Sequence, residues 1–118
     1  MNIKNKHNAI CLDYAASLAM KRIGIPQDTA EFYWPKGENR PFPADRVTRF
    51  KGWESHFTAA FTAEELAVYL PAGAKIEKLS RGVFSVSHPS LTFSGVGTLA
   101  GSIARFLIHL HKKGKLKI

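Results

Sequence analysis

Negative charge, cysteine and unbroken apolar sequence are all scarce in this chain, and each shortage narrows what it can do. Only 9 Asp and Glu stand against 17 Lys and Arg in 118 residues, which leaves a formal net charge of +8. No acidic cluster stands near the histidines that a metal site would need. Cys11 is the single cysteine, so no disulfide closes within one chain and no CxxC pair exists. A lone thiol in an apolar stretch reads as a small buried hydrophobe, and a reducing cytoplasm is the expected compartment. No stretch approaches the ~18 uncharged apolar residues of a membrane-spanning helix. Lys4 and Lys6 ahead of an apolar stretch outline a secretory signal, but Asp13 interrupts it, and Ala9 to Met20 fits an amphipathic helix better. Neither export nor a membrane partner is expected.

What the chain does have is punctuation. From Asn8, read as an N-cap, to Ile23 the positions Cys11, Tyr14, Ala15, Leu18, Met20 and Ile23 follow helical spacing. Gly24 suits the left-handed position after a helix, Ile25 is placed to touch Met20, and Pro26 blocks continuation. Phe61-Thr62-Ala63-Glu64-Glu65-Leu66 combines a capping box with a hydrophobic staple and starts a helix that Leu70-Pro71 stops. Between these, Ala30 to Trp34 is short and aromatic, hence a strand. Pro35 to Asp45, with three prolines, reads as a loop excluded from a sheet, and Arg46 to Trp53 as a second strand.

Lys75 to Leu79 and Val83 to His88 flank Ser80-Arg81-Gly82, a hairpin with a glycine for the left-handed residue. Leu91 and Phe93 alternate with Thr92 and Ser94, a further strand turned back at Pro89-Ser90. Thr98 to Lys113 is the longest helix, with Leu99, Ile103, Phe106, Leu107 and Leu110 on one stripe. Burying those five contributes on the order of 8 to 15 kcal/mol before conformational entropy is subtracted. Lys112 and Lys113 sit where the helix dipole favours cations, and Gly114 supplies the exit. Short turns between the strands predict an α+β fold: an antiparallel sheet of about three to five strands, meander or hairpin, with three helices mainly on one face. Residues 1–118 are expected to form a single domain with frayed tails at 1–7 and 115–118.

The candidate reaction chemistry is thin. Gly95-Val96-Gly97-Thr98-Leu99-Ala100-Gly101 joins a strand to a helix, the context of a pyrophosphate-binding turn. A dinucleotide site also needs an acid about 20 positions further on, and none follows Glu77, so a plain strand-to-helix turn is expected. His109 and His111 are two apart and leave a helix in different directions, and no HExxH pair accompanies them or His88. The serines near Ser94 lack a G-x-S-x-G elbow, Glu64 and Glu65 serve the helix start, and Glu54 with His56 is a single carboxylate beside a single imidazole. No catalytic residue, cofactor or metal ligand is assigned, and the chain is expected not to be an enzyme.

One segment mixes residue types in a way that suits a ligand. From 32 to 57, Phe32, Tyr33, Trp34, Phe42, Phe50 and Trp53 interleave with Lys36, Arg40, Arg46, Arg49 and Lys51, as in proteins that stack on bases and neutralise phosphates. Trp34, Arg40, Arg46, Arg49, Lys51, Trp53, Lys112 and Lys113 are the candidate nucleic-acid contacts. The alternative is that the aromatics are core and the charges ordinary solvated edges, since no RNP aromatic motif or GXXG clamp is present.

Gly24-Ile25-Pro26-Gln27, Glu31-Phe32-Tyr33-Trp34, the stapled helix with Leu70-Pro71 and the apolar helix ending at Gly114 resemble a group of small bacterial, phage and prophage proteins. The resemblance covers most of the chain after residue 12 and rests on structural residues. It implies a cytoplasmic accessory protein and brings no activity or catalytic residue with it. Two functions follow as expectations: a non-enzymatic interaction module of phage or mobile-element type that binds a protein partner or itself as a homodimer, or a single-stranded nucleic-acid binder.

Overall fold

The computed structural model describes residues 11–37, 40–89 and 91–116. The chain divides into two compact units, Met1–Thr62 and Ala63–Ile118. The class is α+β with antiparallel pairing throughout, but the strands form two three-stranded sheets rather than one.

In the first unit helix α1 covers Tyr14–Arg22 and not the span from Asn8. Asp13 is the N-cap: its Oδ1 accepts from the Ala16 N–H at 2.8 Å, while Ser17 Oγ donates to the Asp13 carbonyl at 2.7 Å. The carboxylate that breaks the apolar run is therefore the residue that starts the helix. Asn8 lies outside the described residues, and Cys11 sits in extended backbone bridged to Thr62. The far end closes as the sequence predicts. Gly24 takes φ 95°, the Ile25 N–H donates to Met20 O at 3.1 Å and the Gly24 N–H to Lys21 O at 3.2 Å, a Schellman ending with Met20 and Ile25 both buried.

Strand β1, Phe32–Pro35, is the centre of the first sheet. On one side lies β2, Phe42–Pro43, in the stretch expected to stay outside any sheet. A two-residue edge strand accommodates proline because its missing N–H costs no ladder bond on the open side. Arg46 to Trp53 is not a strand. Ala44–Val47 forms the short helix α2, anchored by buried Val47, and Trp53–Ser55 forms a 3₁₀ turn. Glu54 therefore lies in that 3₁₀ turn and His56 at its end, not on a strand. The strand on the other side of β1 is β3, Phe57–Ala59. Its last residue is also held from outside the sheet: Gln27 Oε1 accepts from the Ala59 N–H at 2.9 Å, and Gln27 O accepts from the Tyr33 hydroxyl at 2.7 Å.

The second unit begins with helix α3, Ala63–Ala67, shorter than expected because the Tyr69 and Leu70 N–H groups bond Leu66 O and Ala67 O in tighter i+3 turns ahead of Pro71. Strands β4 (Lys75–Ser80), β5 (Val83–His88) and β6 (Leu91–Val96) form an antiparallel meander with β5 central and a bulge between Lys78 and Ser80. Helix α4, Leu99–Lys112, packs on α3, β5 and β6. Ala100, Ser102, Ile103, Ala104, Phe106, Leu107 and Leu110 are buried along it. Four of the five predicted stripe residues are among them, and Leu99 is half-buried at the first turn. Small residues at 100, 102 and 104 widen the stripe into a face. Lys115, expected in a loose tail, donates its N–H to Leu110 O at 2.9 Å across Gly114 at φ 68°, a second Schellman ending.

Candidate nucleic-acid interface

Strand alternation sorts the aromatics of residues 32 to 57. Successive side chains on β1 point to opposite faces of its sheet. Phe32 and Trp34 take one face, where Trp34 is 5% exposed and clusters with Cys11, Ala60 and Tyr14. Its Nε1 donates to Leu12 O at 2.8 Å and its ring meets Tyr14 edge-on at 6.2 Å. Trp34 is thus committed to the core and offers no face for a base, against the expectation placed on it.

The opposite face carries Tyr33 and Pro35, and cross-strand partners share a face. Tyr33 is opposite Phe42 on β2 and Ala59 on β3, and Pro35 is opposite Phe57. Phe42 and Phe57 therefore approach across β1, with ring centroids 6.5 Å apart. Phe50, brought round by the turns that follow α2, stacks on Phe57 at 6.2 Å with planes 24° apart. At the other end the Arg46 guanidinium lies 4.3 Å from the centre of the Phe42 ring. The result is one row, Arg46–Phe42–Phe57–Phe50. Phe42 and Phe57 are half-buried, while Phe50 is 57% exposed.

The surrounding charge is mainly positive. Arg40, Arg46, Arg49 and Lys51 are all exposed on segments adjoining the row, with Asp45 the acid among them. Trp53 is half-buried edge-on against Tyr33 at 5.0 Å, which fixes the turn below Phe50 rather than presenting a stacking face. Lys112 and Lys113 belong to the second unit, exposed at the C-terminus of α4, where their charge meets the helix dipole. Phe42 and Phe50 are among the interleaved aromatics of the sequence but not among its candidate contacts, and Phe57 is named in neither group. The missing signal was the register that places Phe42 and Phe57 diagonally about Pro35.

The other sequence candidates resolve into structure. Thr98 caps α4, its Oγ1 accepting from the Gly101 N–H at 3.0 Å, and a Cβ on Gly101 would stand 3.1 Å from that oxygen. The Gly97 N–H donates to Gly82 O at 2.8 Å. The glycine run thus serves a strand-to-helix turn. Among the described residues no three His, Cys, Asp or Glu side chains come together as metal ligands, and no helix is long and apolar enough to cross a membrane. Cys11 is buried and forms no disulfide.

No family model, curated protein or solved structure matches this chain.

Proposed function

We propose that this chain is a cytoplasmic, non-enzymatic binding module whose ligand is single-stranded nucleic acid, held on the Arg46–Phe42–Phe57–Phe50 row. The observation that carries the reading is the exposed ring of Phe50 stacked on Phe57 at one end of a row that an arginine closes at the other. A large aromatic left more than half exposed gains only part of the free energy of burial, whereas a base can stack on it regardless of sequence. Arg40, Arg46, Arg49 and Lys51 supply the phosphate contacts. Half-buried Phe42 and Phe57 hold the row rigid, so little side-chain entropy is lost on binding.

Fluorescence anisotropy of a labelled oligothymidylate tests this. With four phosphates neutralised, log K falls against log salt with a slope of about −2.8, or roughly fifty-fold between 50 and 200 mM. R46A/R49A lowers the slope by about 1.4, and K112A/K113A leaves it unchanged. Absence of binding at 50 mM salt, or equal effects of the two double variants, removes the reading.

The protein-partner or homodimer reading draws on a separate observation: Val68, Ile76 and Leu79 are large apolar side chains exposed in the second unit. Ile76 and Leu79 lie on β4, an edge strand, but three charged residues and a bulge on that strand discourage edge-to-edge pairing. A concentration-dependent mass in light scattering would favour this reading over the first.

A further inference from the structure

The second unit carries a hollow that the aromatic row does not involve. On its sheet, Val86 is fully buried on the face toward α4, so its neighbour Ser87 points to the other face. Ser87 is directly opposite Lys75 on β4 and Thr92 on β6. Directly opposed residues stand roughly 5 Å apart at Cβ, so an ammonium and two hydroxyls form one row about 10 Å long across three strands. The row opens into a shallow depression of about 330 Å³ lined by Gly73, Lys75, Ser87, His88, Pro89 and Thr92.

We infer that this depression is a binding site for the terminal phosphate group of a small molecule. Lys75 brings the positive charge, and the Ser87 and Thr92 hydroxyls donate to two oxygens of the anion while the ammonium takes the third. An ammonium and two hydroxyls lining one hollow match in number the three unesterified oxygens of a phosphate monoester, whereas a phosphodiester offers two. The hollow is at the small end of ligand sites, which suits a phosphate with a short attached group rather than a large cofactor. Glu77 stands on the same face one row along, opposite Ser85, and weakens anion binding through its own charge.

Titration of the ¹⁵N-labelled chain with inorganic phosphate, at constant ionic strength set with sodium chloride, reads this directly. Saturable amide shifts are expected at Gly73, Lys75, Ser87, His88 and Thr92. K75M should weaken binding roughly ten-fold or more, and S87A or T92V by a smaller factor. E77Q should tighten it roughly two- to ten-fold. K78M removes the same charge from the opposite face of β4 and should change nothing. Because Lys75 is exposed at the sheet edge, K75M keeps the fold, which the unchanged amide spectrum verifies. Unsaturable shifts spread over the lysines and arginines, or equal effects of K75M and K78M, overturn the site. Dimethyl phosphate binding as tightly as inorganic phosphate overturns its assignment to a terminal phosphate.

Discussion

Replacing Phe50 by alanine separates a binding surface from a core residue, because the two roles predict opposite balances of stability and affinity. A fully buried Phe→Ala change costs about 3 to 5 kcal/mol. Phe50 is 57% exposed. Scaling by the covered fraction leaves roughly 1 to 2 kcal/mol, part of it the lost stacking on Phe57. Removing a stacking platform from a single-strand binder costs ~1 to 3 kcal/mol of binding per base, or roughly a 5- to 150-fold rise in Kd. Urea unfolding followed by tryptophan fluorescence gives the first quantity, and anisotropy with labelled oligothymidylate gives the second. F50L keeps apolar volume without a stacking face and should lose affinity like F50A, whereas F50W should retain it. A stability loss above about 4 kcal/mol would show that Phe50 belongs to the core. Unchanged affinity in a stably folded F50A would show that the row does not hold the ligand.

Three further outcomes test the fold. D13A removes the cap of α1 and should cost about 1 kcal/mol in urea unfolding, with faster hydrogen exchange at the Ala16 amide, and unchanged exchange there would contradict the capping bond. W34F keeps an aromatic side chain but trims the indole to one ring and leaves the buried Leu12 carbonyl without the Nε1 donor, so a loss of about 1 to 3 kcal/mol or more is expected by chemical denaturation, and a neutral result would mean that neither the bond nor the lost volume contributes net stability. G114A forces a Cβ into left-handed backbone and should destabilise by roughly 1 to 2 kcal/mol, read by thermal melting, with exchange protection lost first at the Lys115 amide.

Some of this architecture is legible in the letters because its causes are local. Gly24 before Ile25-Pro26 and Gly114 after the α4 stripe end helices where the sequence predicts, since a left-handed residue and its two backbone bonds involve only neighbours in the chain. The β4–β5 hairpin and the β6 return are equally local, set by Arg81-Gly82 and Pro89 between alternating runs. The start of α1 was readable too, since Asp13 three residues before Ala16 has N-cap spacing, but the apolar residues ahead of it continue the helical period and draw the start toward Asn8. Cys11 extends that pattern, while its backbone and that of Leu12 pair with residues about fifty positions away.

The sequence by itself determined the C-terminal ends of α1 and α4, the turns of the meander, the basic charge and the presence of both aromatics and arginines between residues 32 and 57. Which of those aromatics meet solvent was decided only by tertiary pairing. Strand β1 itself is covered on both faces, with Tyr33, Trp34 and Pro35 all buried, so the exposure falls to its neighbours: half-buried Phe42 and Phe57 on the flanking strands and Phe50 on the turns after α2. The register is fixed by Tyr33 opposite Phe42 and Ala59, and by Gln27 reaching across to the Ala59 amide. These are contacts between segments 9 to 32 positions apart, and no local preference encodes them.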